Sequence, residues 1–96
     1  MAKEIRWTPE ALARFEIVID YLEANWTERE VINFVSSTDK VIQLISENPK
    51  IFRKLKLNIY EAIVTPHNIL IYKVFPKRIE ILTFWDTRQN PRKKKL

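Results

Sequence analysis

Cations crowd the second half of this chain, and carboxylates are scarce there. Residues 50–96 hold twelve Lys and Arg against three acids, Glu61, Glu80 and Asp86, whereas residues 1–49 hold five against nine. Such asymmetry suggests a polyanion as partner of the second half, most simply nucleic acid. A basic tail does not account for it alone, since residues 50–87 still carry seven cations against those three acids. Arg53, Lys54 and Lys56 come within four residues and interleave with apolar Phe52, Leu55 and Leu57. Clustered short-reach cations neutralise phosphates without reading sequence. Arg53, Lys54 and Lys56, with Arg92, Lys93, Lys94 and Lys95 of the tail, are therefore the nucleic-acid-binding candidates. A merely solvated lead into the next strand is an equal alternative for the first three.

Other chemistries are mostly excluded. The chain has no Cys, and its one His, His67, lies in a Pro-His-Asn turn where a structural role is the expected one. Metal sites with His/Cys spacing and Ser-His-Asp arrangements have no support, and no metal or other cofactor is expected. The absence of any Gly removes a glycine-rich phosphate cradle. Lys, Arg, Tyr and one carboxylate remain. That set suffices for attack of a 2′-hydroxyl on its phosphodiester, in which cations stabilise the added negative charge and one group relays a proton. It permits a ribonuclease without establishing one.

These residues need elements to hold them. Ile59 to Arg88 reads as three β-strands of Val, Ile, Tyr, Phe and Thr, joined by the turns Thr65-Pro66-His67-Asn68 and Phe75-Pro76-Lys77-Arg78. Pro at the second position pre-sets φ for a type I turn. Lys3 to Trp7 alternates and adds a possible edge strand. Thr8-Pro9-Glu10 opens a helix with Thr as cap and Pro at its first position. Its stripe is Ala11, Phe15, Val18 and Leu22, widened by Leu12 and Ile19, and it ends near Asn25. Thr27-Glu28-Arg29-Glu30 is a capping box, with Trp26 and Val31 at staple spacing. The second stripe, Val31, Val35, Ile42 and Ile45 flanked by Phe34 and Val41, runs to Asn48-Pro49. The expected architecture is α+β: an N-terminal helical hairpin packed on a small antiparallel sheet, in one domain spanning 1–96 with a basic tail at 88–96. The N-terminus carries no apolar run of a signal peptide and no stretch approaches a membrane span, so a cytoplasmic protein is expected.

The order of these segments resembles the RelE/ParE superfamily of toxins from type II toxin–antitoxin systems. Ile5-Arg6-Trp7-Thr8-Pro9-Glu10-Ala11 is similar to that family's strand-to-helix entry, Tyr21-Leu22 with Trp26 to its hairpin corner, and Ile42 to Pro49 to its second-helix exit. Ile69-Leu70-Ile71-Tyr72-Lys73-Val74, then Ile79 to Trp85 running into Asp86-Thr87-Arg88-Gln89-Asn90-Pro91, carries the most specific likeness. The resemblance implies a growth-inhibiting toxin held by a tightly bound antitoxin. RelE-type members cut mRNA on the ribosome, whereas ParE-type members inhibit DNA gyrase and are not known as nucleases.

Carried over residue by residue, the resemblance makes Lys54, Lys56, Lys73 and Arg88 the catalytic candidates around a scissile phosphate. Two departures stand out. Lys73 replaces an Arg, keeping the charge and losing the bidentate fork, and no Tyr or His follows Trp85 to relay a proton. The leading expectation is ribosome-dependent mRNA cleavage by a metal-independent endoribonuclease, with ribosome and mRNA as partners. The alternatives are a non-enzymatic gyrase inhibitor that uses the tail and second helix, and a non-toxic RNA-binding relative. An antitoxin is expected to cover Arg88 or Lys54, or to displace the tail.

Overall fold

The computed structural model describes residues 3–87. In chain order the elements are β1 (Glu4–Trp7), α1 (Pro9–Asn25), α2 (Glu28–Glu47), β2 (Arg53–Lys56), β3 (Ile59–Thr65), β4 (Asn68–Val74) and β5 (Arg78–Asp86). The meander and both its turns lie where the sequence puts them. The sheet is larger than expected, with five strands in the order β1-β5-β4-β3-β2. It is also mixed rather than antiparallel, because β1 runs parallel to β5 in the register Glu4↔Arg78 to Trp7↔Ile81.

The additional strand is β2, in the segment read as an irregular lead. Its interleaved Lys and Leu are the period-two pattern of an edge strand, with the lysines guarding the open edge. The turn into β3 needs one residue with positive φ. In a chain without Gly, Asn58 supplies it at φ 63°, and its carbonyl accepts from the Val74 N–H at 2.8 Å. Asn tolerates this left-handed region better than other side chains do.

Both helices lie on one face of the sheet. Thr8 caps α1 as expected: its Oγ1 accepts from the Ala11 N–H at 3.0 Å and donates to the Leu82 carbonyl at 2.8 Å. The start of the first helix is thereby tied to the last strand. Thr27 occupies the cap position of α2 but makes no side-chain cap bond, so the expected capping box is not formed. The buried stripe of α2 is Phe34, Thr38, Val41 and Ile45: Ile45 lies on the expected stripe, its flanking Phe34 and Val41 become the centre with Thr38, and Val31, Val35 and Ile42 fall to the side. Thr38 can sit in the core because its hydroxyl donates to the Phe34 carbonyl at 2.8 Å. Leu12, expected to widen the first stripe, is exposed.

The core joins these helix stripes to Tyr60, Ala62, Leu70, Tyr72, Ile79, Ile81 and Phe84 of the sheet. Phe84 lies 5.4 Å from Trp7, 5.4 Å from Phe15 and 6.2 Å from Phe34, ring centroid to centroid. Tyr72 stacks on Tyr60 at 5.5 Å, and its hydroxyl donates to the Pro49 carbonyl at 2.7 Å. Burial, then the neighbouring Tyr60, raises the Tyr72 phenol well above its ordinary value. A phenol that ionises less readily folded than unfolded stabilises the fold below the ordinary phenol range. That contribution is lost as pH climbs from that range up through the raised folded-state value. Tyr72→Phe should therefore flatten the alkaline limb of a stability–pH curve; an unchanged slope would assign alkaline unfolding to other groups.

Candidate functional site

The face of the sheet away from the helices gathers cations from both ends of the chain. Cross-strand register lines up Lys56, Ile59, Lys73, Glu80 and Arg6 in one row over all five strands. Arg78 stands beside Glu4, and a second row holds Arg53, Glu61, Ile71 and Thr83. Arg53 and Lys56 share this face only because of a bulge between Lys54 and Lys56. In a regular strand residues three apart point to opposite faces, and one extra residue restores the match.

Each Arg of this face meets a carboxylate. Arg6 meets Glu4 at 2.9 Å, Arg53 meets Glu61 at 3.3 Å, and Arg78 meets Glu80 at 3.1 Å. The hydrogen bond that Arg6 donates to Glu4, and then the charge of that carboxylate, hold the Arg6 pKa above its ordinary value. Such exposed pairs contribute little stability, about 0–1 kcal/mol each, so their effect is to pin guanidinium groups in place. Lys73 makes no ion pair among the described residues; its ammonium lies 5.2 Å from the centre of the Phe75 ring, which also stacks under Arg78 at 4.2 Å. A half-buried, unpaired lysine flanked by Lys56 and Arg78 is well placed to hold an anion.

Of the candidates read from sequence, Lys56, Lys73 and Arg53 therefore come together. Lys54 does not join them: its register partner is Tyr60, on the face turned towards the helices. Arg88, Arg92, Lys93, Lys94 and Lys95 lie outside the described residues. Arg6 at the end of the row and Arg78 next to it were missed. Arg78 was recoverable, being a cation at the foot of a strand, but nothing local pairs Arg6 with residues more than seventy positions away.

The phenols and the imidazole are elsewhere. His67 sits in the two-residue β3–β4 turn, at the far end of β4 from Lys73, where its backbone N–H donates to Thr65 Oγ1 at 3.2 Å. Tyr60 and Tyr72 are buried in the core, and Tyr21 is on α1. No cluster of carboxylates and His suited to a metal ion occurs among the described residues. No helix among them is long and apolar enough to cross a membrane.

A second feature lies on the helix side. β1 pairs only with Arg78 to Ile81, so the rest of β5 has no strand neighbour on that edge among the described residues. A cleft of about 240 Å³ opens there, between Arg14, Ile17, Val18 and Tyr21 of α1 and Phe84 to Asp86 of β5. Ile17 is 55% exposed and Tyr21 44% exposed.

The family described as the ParE toxin of type II toxin–antitoxin system, parDE, matches residues 5–91. No curated protein matches the chain by sequence. Among solved structures, the chromosomal ParDE system of P. aeruginosa is similar at 15% identity and TM-score 0.72, over 88% of this chain and 96% of that one. The E. coli DinJ–YafQ toxin–antitoxin complex is similar at 12% identity and TM-score 0.63, over 92% and 96%. The YoeB dimer of Staphylococcus aureus is similar at 15% identity and TM-score 0.63, over 88% and 97%. At these identities the structures establish a shared fold of two helices and a mixed sheet.

Proposed function

We propose that this chain, which belongs to the ParE toxin family of type II toxin–antitoxin systems, arrests growth by binding DNA gyrase rather than by cutting RNA. The observation that carries the choice of target is the placement of its phenols and imidazole. All three Tyr and the one His lie away from the Lys56–Lys73 row, so the cations that would hold a scissile phosphate have none of those groups beside them to move a proton. Electrostatic binding alone does not cleave a phosphodiester. The mRNA-cleaving reading keeps one support, the row itself, in which Glu80 is the only carboxylate.

The discriminating experiment runs two assays on one preparation: gyrase supercoiling, and purified translation with the 5′ ends of the mRNA mapped. Inhibited supercoiling with intact mRNA is the expected result; new ribosome-dependent 5′ ends would overturn it. Lys56→Glu with Lys73→Glu sharpens the outcome. On the gyrase reading, with α2 and the tail as contact surface, inhibition stays within about threefold of the parent, a difference below about 1 kcal/mol. On the nuclease reading, removal of two phosphate contacts lowers cleavage by about 100-fold or more.

The partner that restrains it is an antitoxin, supported by neighbours that are themselves toxin–antitoxin systems. The α1–β5 cleft is the surface that suits it. Exposed apolar side chains beside a strand edge that carries no further strand among the described residues provide both a hydrophobic seat and room for an incoming segment.

A further inference from the structure

We infer that the crevice between the hairpin corner and the β3–β4 turn is a binding site for a nucleoside or nucleoside monophosphate. It is separate from the cationic row and from the α1–β5 cleft, and it does not depend on which target the toxin has. Its volume is about 530 Å³, within the range of small-molecule pockets. Leu22, Phe34 and Val64 supply apolar wall, and Trp26 lines it while 55% exposed. An indole so placed offers a flat face on which a heterocycle stacks.

The polar lining is close to neutral. Glu30 and Lys40 carry opposite charges, while Asn33 and Ser37, one helical turn apart on α2, add uncharged donors and acceptors. A bare phosphate or sulfate finds no concentration of positive charge here. A sugar alone leaves the apolar wall unused. A heterocycle bearing ring donors and acceptors uses both parts, and Lys40 and His67 are the lining groups able to meet a 5′-phosphate.

Asn68 is the observation that points to a ligand. The residue lines the crevice and is 4% exposed; its Nδ2 donates to Thr65 Oγ1 at 3.0 Å, and its Oδ1 has no partner. Leaving a buried polar atom unpaired is unfavourable. Exchanging the two ends of the amide does not remove the problem. Oδ1 would then accept from the Thr65 hydroxyl, and the open position would pass to Nδ2. Either way one end of a planar amide is committed and the other awaits a partner. A single ring N–H or exocyclic amino group on a nucleobase edge completes the open oxygen, and an acceptor on the same edge would complete the flipped amide. Neighbouring atoms close over the open end, so access requires a shift of the Pro66-His67 turn. That turn is tethered by the Thr87 N–H to the His67 carbonyl at 2.8 Å.

The test is an amide NMR titration of the intact protein with AMP, GMP, CMP and UMP, with ribose 5-phosphate and inorganic phosphate as controls. Saturable shifts are expected for the Trp26 indole N–H and for His67 and Asn68 with at least one monophosphate, at least about tenfold tighter than with ribose 5-phosphate. Ser37→Leu, which fills the crevice from a partly exposed helix position, should abolish them. Asn68→Ala should weaken binding about tenfold or more. No saturable shift up to about 10 mM, equal binding of ribose 5-phosphate, or full binding by the Ser37→Leu protein would each overturn the assignment.

Discussion

Phe84→Ala should cost about 3–5 kcal/mol of stability, the largest loss expected from any single truncation in this chain. Phe84 is 2% exposed and meets rings from three different elements: Trp7 of β1, Phe15 of α1 and Phe34 of α2. Removing it deletes apolar burial and opens a cavity where the hairpin, the parallel edge strand and the meander converge. These elements cannot collapse onto the gap together, because Thr8 fixes the start of α1 to Leu82, two residues before Phe84. A domain of this size has about 5–15 kcal/mol in all. In urea the midpoint should fall by roughly 2 M or more. Ile63→Ala is the control: Ile63 is 69% exposed, and its loss should change stability by less than about 0.5 kcal/mol. Similar shifts for the two variants would mean that the ring cluster is not the structural hub.

Ile17→Glu should release the toxin from its antitoxin while leaving the growth arrest it causes without antitoxin unchanged. Ile17 is exposed on α1 at the mouth of the cleft over Phe84 and Trp85, so the folded chain loses little by the change. In the complex a carboxylate would be buried in an apolar seat without a partner. Truncation at the centre of such contacts costs about 2–4 kcal/mol, a 30- to 1,000-fold loss of affinity. Calorimetry with the cognate antitoxin measures this directly. In cells carrying both proteins, growth arrest should return at antitoxin levels that silence the parent. Unchanged affinity would place the antitoxin on another surface, the cationic row being the next to examine.

The sequence revealed local structure well and spatial convergence poorly. Thr8-Pro9, Asn48-Pro49 and the two Pro turns mark boundaries through chemistry that acts over a few residues, and the elements begin and end beside them. The mixed sheet was not legible because parallel pairing of Glu4–Trp7 with the last strand leaves no local trace. Strand β2 was passed over although its alternation is the signal of an edge strand, since its charges drew a functional reading first. The step from Val35 to Thr38 in the α2 stripe failed for another reason. A hydroxyl that bonds its own helix counts as polar in sequence but packs as apolar. At the site, Arg53 and Lys56 share a face because of a bulge, and Lys54 is excluded by the same bulge. Spacing alone would have paired them differently.

The bond between the first strand and the last also sets a schedule. Thr8 waits for Leu82 and Lys3 for Phe75, separations of 74 and 72 residues. At synthesis rates of about 5–20 residues per second, the helical hairpin is out for seconds before its sheet can close around it. Long-range closure of this kind is slow as well as late. A chain whose last strand has not yet been made therefore has neither its aromatic core nor its cross-sheet row of cations. The poison comes into being only once that strand is out, and an antitoxin already made has that interval to reach it first.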